Sequence, residues 1–239
     1  MTITHSPFIE ENKNKKLIID GLKLTERIPY ESIDLEILDA QYRAGLDKLS
    51  FGNEGKSRMT KRSELPQMND EMIVNFLKES ARVLKPSSYL FLWVDKFTVA
   101  EGVHLDWMRS SEVLLRTFSL VDKIVWYKES FGMGARSRRT NEELLVYQKL
   151  PKTTKNWKDK GIRDTWVEKI ENPRLGHPNR KPLGLTERLI QSVTNEGDLV
   201  MDRCSGSFST FHTCMKTGRN FIGGDISPEY GEVLPVYED

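Results

Sequence analysis

Short apolar segments that alternate with amphipathic stretches constrain the fold more than any other feature of this sequence. The apolar runs Tyr89–Val94 and Glu143–Gln148 have the length of buried strands, whereas Asp70–Leu84 and Leu183–Val193 repeat apolar residues at helical spacing. Strands and helices in alternation are typical of an α/β protein whose sheet lies between layers of helices. The other predicted elements are strands at Ser32–Leu38, Val121–Tyr127, Asp198–Asp202 and Arg219–Asp225 and helices at Leu105–Phe118 and Thr210–Lys216.

One segment, Lys149–Gly176, interrupts this alternation, because it lacks apolar periodicity and is rich in Lys, Asn and Trp. We therefore predict a single doubly wound domain over 1–239 with a short irregular insertion at 149–176. The two cysteines argue against a disulfide framework, and the N-terminal segment does not read as a signal peptide. With a net charge of only +1, any nucleic-acid binding must come from local basic patches. No apolar run approaches the roughly 20 residues that cross a bilayer. We expect a cytoplasmic protein with no metal and no membrane contact.

The stretch Gly197–Tyr230 carries a strand, a small-residue loop, a helix and a second strand that ends at Asp225. In open α/β sheets, ligands bind at the carboxyl ends of strands, where a carboxylate can accept hydrogen bonds from a ribose. The loop Cys204–Ser209 contains one glycine, so the fingerprint of nicotinamide binders is missing. The stretch predicts a cofactor site, and the alternative is a plain βαβ unit with a solvated acid at its end.

The segment His177–Pro182, which reads HPNRKP, opens the helix predicted before that stretch. Together with the loop after Asp202 and the run Gly223–Tyr230, it resembles the beta-class DNA amino-methyltransferases. Trp126–Lys128 and Asn141–Tyr147 resemble the middle motifs of the same family. The resemblance implies a Rossmann-like class I methyltransferase fold with a circularly permuted motif order, and S-adenosylmethionine as cofactor. The cofactor-binding residues that it implies are His177, Asn179, Lys181, Asp202, Ser205, Gly206, Ser207 and Asp225.

The tetrapeptide Asp39–Tyr42, DAQY, follows an early predicted strand and stands where that family has a DPPY-like motif. A carboxylate and a backbone carbonyl that accept the two amino N–H groups of a base would orient its nitrogen and stabilise developing positive charge. An aromatic ring would hold the base once it is flipped out of the stack. The resemblance thus implies a catalytic segment, and its leading Asp favours adenine N6. The catalytic candidates are Asp39, Ala40, Gln41 and Tyr42.

Two other hypotheses remain open beside an adenine-N6 DNA methyltransferase. The first is a methyltransferase that acts on cytosine N4 or on RNA, since the same motifs suit those targets. Taken without the other motifs, Asp39 and Tyr42 would also suit a strand-end acid and a packing residue. A non-catalytic homologue that holds DNA or a partner subunit is favoured by the substitutions in the family motifs. These are Ala40 and Gln41 for two prolines, Arg203 for the proline after Asp202, Cys204 for an aromatic residue and Phe208 for a glycine.

The Phe208 substitution bears most directly on cofactor binding. Glycine in such a loop permits a positive φ and a close backbone approach to a ligand, whereas a phenylalanine adopts that backbone only at a cost. We expect either a different loop path, with Gly206 or Ser207 making the close approach, or weaker cofactor binding.

Basic segments at 53–63, 132–139 and 148–164 predict contacts with DNA, because Lys and Arg on loops bind phosphates without reading sequence. Trp157 and Trp166 lie in the insertion, where the resembled family keeps its target-recognition region, and they are candidates for contact with bases. The alternative is solvated loops and core tryptophans. The short insertion favours either a small recognition site or a homodimer or partner subunit that supplies part of the recognition. The DNA-binding candidates are Lys56, Arg58, Lys61, Arg62, Arg136, Arg138, Arg139, Lys155, Trp157 and Lys158.

Overall fold

A computed structural model of the protein describes residues 6–40, 68–132, 136–169, 181–226 and 232–233. The strands in these residues are β1 Leu17–Ile18, β2 Ile33–Leu38, β3 Leu84–Val94, β4 Phe118–Gly132, β5 Arg139–Lys149, β6 Thr165–Val167, β7 Leu199–Asp202, β8 Asn220–Asp225 and β9 Glu232–Val233. The helices are α1 Pro7–Asn12, α2 Gly21–Glu26, α3 Asp70–Val83, α4 Lys96–Ala100, α5 Val103–Arg109, α6 Glu112–Thr117, α7 Leu183–Val193 and α8 Ser209–Thr217.

The strands form one sheet in the order β6-β4-β5-β3-β2-β7-β8-β1-β9. Six neighbouring strands, β3, β2, β7, β8, β1 and β9, are mutually parallel. Strand β5 runs antiparallel to both of its neighbours, β3 and β4. We call the edge at which β2, β3, β7 and β8 end the carboxyl edge, and the opposite one the amino edge. Because Val94 pairs with Glu143, β5 begins at the carboxyl edge.

The two faces of the sheet carry separate cores, because side chains alternate along each strand. Phe91 and Trp93 of β3 point into a core that α7 and α8 cover. Leu90 and Leu92 point into the other core, which α2, α3, α5 and α6 cover. Helices therefore lie on both faces of the sheet, as the predicted doubly wound architecture requires.

The predicted helix at Leu105–Phe118 is two helices in the structure, α5 and α6. Ser110 bonds through its hydroxyl to the Trp107 carbonyl at 2.7 Å, and Ser111 takes extended backbone angles. A serine that bonds locally to the backbone competes with helix continuation, which explains the break. Elements α1, β1, α2, α4 and β9 were not predicted, because each is too short for a periodic pattern.

The predicted irregular insertion contains the edge strand β6, which pairs with β4 through Trp166 and Trp126. The Glu168 carboxylate accepts the Trp166 indole N–H at 2.7 Å and the backbone N–H groups of Gly184 and Leu185 at 2.9 and 3.1 Å. These contacts satisfy amide groups at the start of α7, which have no partner within the helix. No helix in the described part of the chain is long and apolar enough to cross a membrane.

Candidate functional site

A cleft opens at the carboxyl edge, beside the ends of β2 and β7 and the start of α8. It brings Asp39 close to the small-residue loop that follows Asp202, although the two are far apart in sequence. The cleft is lined by Ile37, Asp39, Trp93, Lys181, Thr186, Asp202, Cys204, Ser205, Gly206, Ser207, Ser209 and Thr210.

The loop after β7 turns sharply and is fixed to the end of β8. The Ser205 amide donates to the Gly224 carbonyl at 3.1 Å, and its hydroxyl donates to the Asp202 carbonyl at 2.8 Å. Gly206 has a φ of +48° and donates its amide N–H to Asp225 Oδ2 at 2.8 Å. Asp225, the acid predicted at the end of the second strand, therefore lies directly beside the loop.

Phe208 adopts the left-handed backbone itself, with a φ of +57°. Such a residue costs about 1–2 kcal/mol when it is not glycine. The side chain is fully buried, and its ring centroid lies 6.4 Å from that of Phe221 in the core. The phenylalanine ring thus packs beneath the loop, and the loop keeps its left-handed turn at both Gly206 and Phe208.

Asp202 is a buried carboxylate, 5% exposed, at the floor of the cleft. It accepts hydrogen bonds from the Thr210 hydroxyl at 2.6 Å and from the Cys204 amide at 3.1 Å. Burial, with smaller contributions from the charges of Asp39 and Asp225, raises the pKa of Asp202 to about 7, although the hydrogen bonds oppose the shift. This acid therefore changes its charge near neutral pH.

Lys181 joins the predicted catalytic carboxylate to a second acid. Its Nζ lies 2.9 Å from Asp39 Oδ2 and 2.7 Å from Glu142 Oε2. The Lys181 ammonium also lies 5.1 Å from the centre of the Trp93 ring, a cation–π distance. Lys128 pairs with Glu142 from the other side. Lys181, which the resemblance assigned to the cofactor, thus contacts the predicted catalytic acid and lines the same cleft as the loop 205–207.

The charges in this network stabilise one another. Burial alone would raise the pKa of Glu142, yet the ammonium groups of Lys181 and Lys128 outweigh burial and lower the pKa to about 2. Burial likewise opposes the charge of Lys181, but the Asp39 and Glu142 carboxylates raise its pKa above the usual range. Both groups therefore stay ionised at neutral pH.

The structure places many of the predicted site residues together. Asp39, Lys181, Asp202 and the segment 205–207 line the cleft, and Asp225 holds the loop. Ala40 follows Asp39 with its methyl group buried in the core. The predicted catalytic and cofactor-binding residues that lie outside the described part of the chain are Gln41, Tyr42, His177 and Asn179.

The residues of the site that sequence reasoning missed include Trp93, Lys128, Glu142 and Thr210. Lys128 and Glu142 stand in segments that resemble family motifs, yet the pattern gave them no role. The position of Trp93, one residue before the end of a buried strand, was the signal that could have found it, since ligands gather at such ends.

The arginines at and just before the start of β5 lie at the carboxyl edge, as does the cleft. Arg136 and Arg138 are exposed, and the Arg139 guanidinium lies 5.8 Å from the centre of the half-exposed Phe97 ring. Lys96, at the start of α4, bonds to Ser137 at 3.0 Å. These residues form a basic surface beside the cleft.

The other described DNA-binding candidates lie at the amino edge. The Trp157 ring packs 5.7 Å from the ring of Tyr89, and Lys158 donates to the Thr194 carbonyl at 2.6 Å. Tyr89 precedes Val94 by five residues, about 17 Å along a strand. Trp157 is thus a packing residue at a distance from the cleft, and the exposed Lys155 lies near it. Lys56, Arg58, Lys61 and Arg62 lie outside the described residues.

Comparisons with known proteins identify the family of this chain. A family model described as DNA methylase matches residues 33–234. Type II methyltransferase M.HhaII of Haemophilus parahaemolyticus is 45% identical over 214 residues, which cover 89% of this chain and 91% of that protein. DNA adenine methyltransferase YhdJ of Escherichia coli strain K12 is 25% identical over 259 residues, which cover 90% of this chain and 80% of that protein.

Solved structures share the fold. The cytosine-N4-specific PvuII DNA methyltransferase superposes with a TM-score of 0.66 at 20% identity, over 92% of this chain and 86% of that one. A complex of M1.HpyAVI with SAM superposes with a TM-score of 0.60 at 19% identity, over 90% of this chain and 94% of that one. The predicted methyltransferase fold is thereby confirmed. Because the DNA methylase model spans residues 33–234, the chain belongs to the DNA methylase family.

Proposed function

We propose that this protein transfers a methyl group from S-adenosylmethionine to the N6 amino group of adenine in DNA. The observation that carries the proposal is the cleft in which the Asp39 carboxylate shares one space with the loop 205–207. A carboxylate that accepts an amino N–H and a nearby cofactor loop are the two parts that this reaction needs. The likeness to DNA adenine methyltransferase YhdJ supports adenine as the target.

The residues of the cleft fit the methyl donor. The donor supplies an electrophilic methyl group on a sulfonium and carries an ammonium group and a ribose. Asp202 is a buried acid with a raised pKa, so a cationic ligand group would relieve the cost of its ionisation. The small residues Ser205–Ser207 would surround the methionine part, and Asp225 would bind the ribose hydroxyls. Because the sulfonium already activates the methyl group, the transfer needs no metal ion.

Asp39 would act on the base. Asp39 Oδ2 lies 2.9 Å from Lys181 Nζ and pairs with this ammonium. The pairing fixes the orientation of the carboxylate and keeps a cation beside it. The carboxylate would accept one amino N–H of adenine, and the Ala40 carbonyl would accept the other, so that the nitrogen lone pair points toward the methyl group. As the N–C bond forms and the S–C bond breaks, the amino group passes a proton to Asp39. Tyr42 would stack on the flipped base.

The test is to incubate the protein with radiolabelled S-adenosylmethionine and unmethylated DNA of mixed sequence, and then to identify the labelled nucleoside. We expect N6-methyladenine. Labelled N4-methylcytosine would overturn the target base, and label in RNA alone would overturn DNA as the substrate. If no substrate takes up label and calorimetry detects no cofactor binding, the non-catalytic hypothesis replaces ours.

The affinity for S-adenosylmethionine should fall as the pH drops below 7. Asp202 attracts the donor's ammonium only when its carboxylate is ionised, and the pKa of Asp202 is about 7. We expect the Kd from calorimetry to rise about fivefold from pH 7 to pH 6, because the ionised fraction of Asp202 falls by that factor across this interval. Asp202→Asn should bind weakly and show little of this dependence. A wild-type Kd that is constant from pH 8 to pH 5.5 would contradict the assignment.

The same pKa has an opposite consequence for the unliganded protein. Because the folded pKa of Asp202 lies above its ordinary value of 3.8, the stability it contributes is present below pH 4 and is lost as the pH rises through about 7. Asp202→Asn should therefore raise the free energy of unfolding at pH 8, in the absence of cofactor. Denaturant unfolding at pH 5 and pH 8 measures this change.

Arginines at the carboxyl edge should carry the binding of DNA. In the triple variant Arg136→Ala, Arg138→Ala, Arg139→Ala, we expect the slope of log Kd against log salt concentration to fall by about 2–3, since each lost phosphate contact removes about 0.9. Fluorescence anisotropy with a labelled duplex measures the slope. The control is Lys155→Ala, Lys158→Ala at the amino edge, which should leave the slope unchanged. An equal loss in the control would contradict this surface.

A further inference from the structure

Arg203 is a fully buried arginine inside the cofactor loop. Its backbone lies between Asp202 and the small residues of the loop, and its side chain has no exposed surface. The Nε and Nη2 atoms both donate to Glu36 Oε1, at 2.8 and 2.5 Å, and Glu36 is also fully buried. A loop that follows β7 is thus joined through a side chain to the middle of β2.

The remaining contacts of the guanidinium join it to two helices. Nη1 donates to Thr25 Oγ1 of α2 at 3.1 Å, and Nη2 donates to Ser80 Oγ and the Phe76 carbonyl of α3 at 2.7 and 2.9 Å. The guanidinium lies 4.7 Å from the centre of the Phe76 ring. A Cβ atom added at Gly21 would come within 2.9 Å of the Arg203 carbonyl oxygen, so α2 also presses on the backbone.

Glu36 occupies a position that matters for the other half of the site. It lies three residues before Asp39, and it pairs with Met201 of β7 and Leu90 of β3 in the sheet register. Its second carboxylate oxygen, Oε2, is buried and has no hydrogen-bond partner among the described residues. Among the described residues, the Glu36 carboxylate is therefore held by the arginine alone.

Stability does not explain this pair. Buried ion pairs lose much of their attraction to desolvation, and apolar residues of similar volume often serve stability as well or better. What the pair does provide is direction, because hydrogen bonds of a planar guanidinium fix the angle and the distance of their partners. Arg203 stands where the resembled family has a proline, a residue that fixes the backbone by its ring. In this chain, the hydrogen bonds of the buried Arg203 side chain can fix the backbone at the same position.

We propose that Glu36 and Arg203 are a positioning pair, which holds the Asp39 carboxylate and the loop 205–207 at the separation that methyl transfer needs. The inference rests on the proposed function. An error of about 1 Å between reacting groups can cost about 10²-fold in rate. The pair thus connects the segment that would bind the base to the segment that would bind the donor.

The test is the double variant Glu36→Met, Arg203→Met, because either single change would leave a buried charge without a partner. We expect kcat to fall by about 10²-fold. The Kd for S-adenosylmethionine, measured by calorimetry, should rise about tenfold, while the melting temperature stays within about 4 °C of the wild type. The conservative variant Arg203→Lys keeps the charge without the fork, and it should show an intermediate loss of kcat.

The matched control is Arg219→Met, which removes another buried arginine. Arg219 bonds to Thr194 at the amino edge, so its loss should lower the melting temperature and leave kcat unchanged. Wild-type kcat and Kd in the double variant would overturn the proposal. The proposal would also be overturned if, in the double variant, Arg203→Lys and Arg219→Met, the loss of kcat were simply proportional to the loss of melting temperature. A wild-type protein that methylates no nucleic acid defeats the proposed function, and the calorimetric arm still tests the pair.

Discussion

Replacing Asp39 with asparagine should lower kcat for methyl transfer by about 10²–10⁴-fold and leave the affinity for S-adenosylmethionine nearly unchanged. The amide has the shape of the carboxylate but lacks its charge, so it neither stabilises a cationic amino nitrogen nor accepts its proton. The salt bridge to Lys181 is also lost. Single-turnover methylation measures the rate, and calorimetry measures cofactor binding.

The matched control is Asp34→Asn, near the amino edge on β2, the strand that Asp39 follows. Asp34 bonds to Lys85 at 2.6 Å and to the Leu199 amide at 2.9 Å, so its loss should affect stability rather than rate. If Asp39→Asn retained activity within a few-fold of the wild type, or if both variants lost the same amount, Asp39 would not be the catalytic carboxylate.

Replacing Lys181 with methionine should have the second large effect, on both stability and rate. The variant leaves the Asp39 and Glu142 carboxylates without the cation between them. We expect a loss of about 1–2 kcal/mol in the free energy of unfolding, less than for a fully buried pair, because the three side chains are partly exposed and Lys128 still pairs with Glu142. The value of kcat should fall about 10²-fold, because Asp39 loses the group that orients it.

The pH dependence of this variant has a definite sign. In the wild type, the depressed pKa of Glu142 contributes stability that is full above its ordinary value of 4.5 and is lost as the pH falls toward about 2. Without Lys181 the Glu142 pKa rises, so acid unfolding should begin at a higher pH. Adding Glu142→Gln should recover much of the stability while kcat stays low. Activity that returned together with stability would show that Lys181 acts only on the fold.

The sequence allowed most of the architecture and part of the site to be predicted. Long elements such as α3 and α7 have a full helical period, and the motif order placed Asp39, Asp202 and Asp225 at strand ends. The partner of Lys181 could not be predicted, because its contact with Asp39 depends on two loops whose path no local pattern determines. The same holds for Phe208, since the chain alone does not say whether its ring points to the cleft or to the core.

The edge of the sheet at which each basic loop lies was also beyond prediction. Apolar periodicity shows that a strand is buried, but it does not distinguish parallel from antiparallel pairing. Because β5 runs antiparallel to β3, the arginines before it reach the carboxyl edge and the segment after it, with Lys155 and Lys158, returns to the amino edge. One strand direction thus divided a set of predicted DNA contacts in two.

The N-terminal segment sets a practical limit on how this protein can be shortened. The family match starts at residue 33, yet Leu17 pairs with Gly224, the Ile19 amide bonds to the Asp225 carbonyl at 3.0 Å, and Gly21 packs against Arg203. Trimming the chain to the matched stretch would strip β8 of its neighbour and leave a bare strand edge, which is prone to aggregate. Domain boundaries drawn from family similarity would therefore cut through the wall that is proposed to hold the donor.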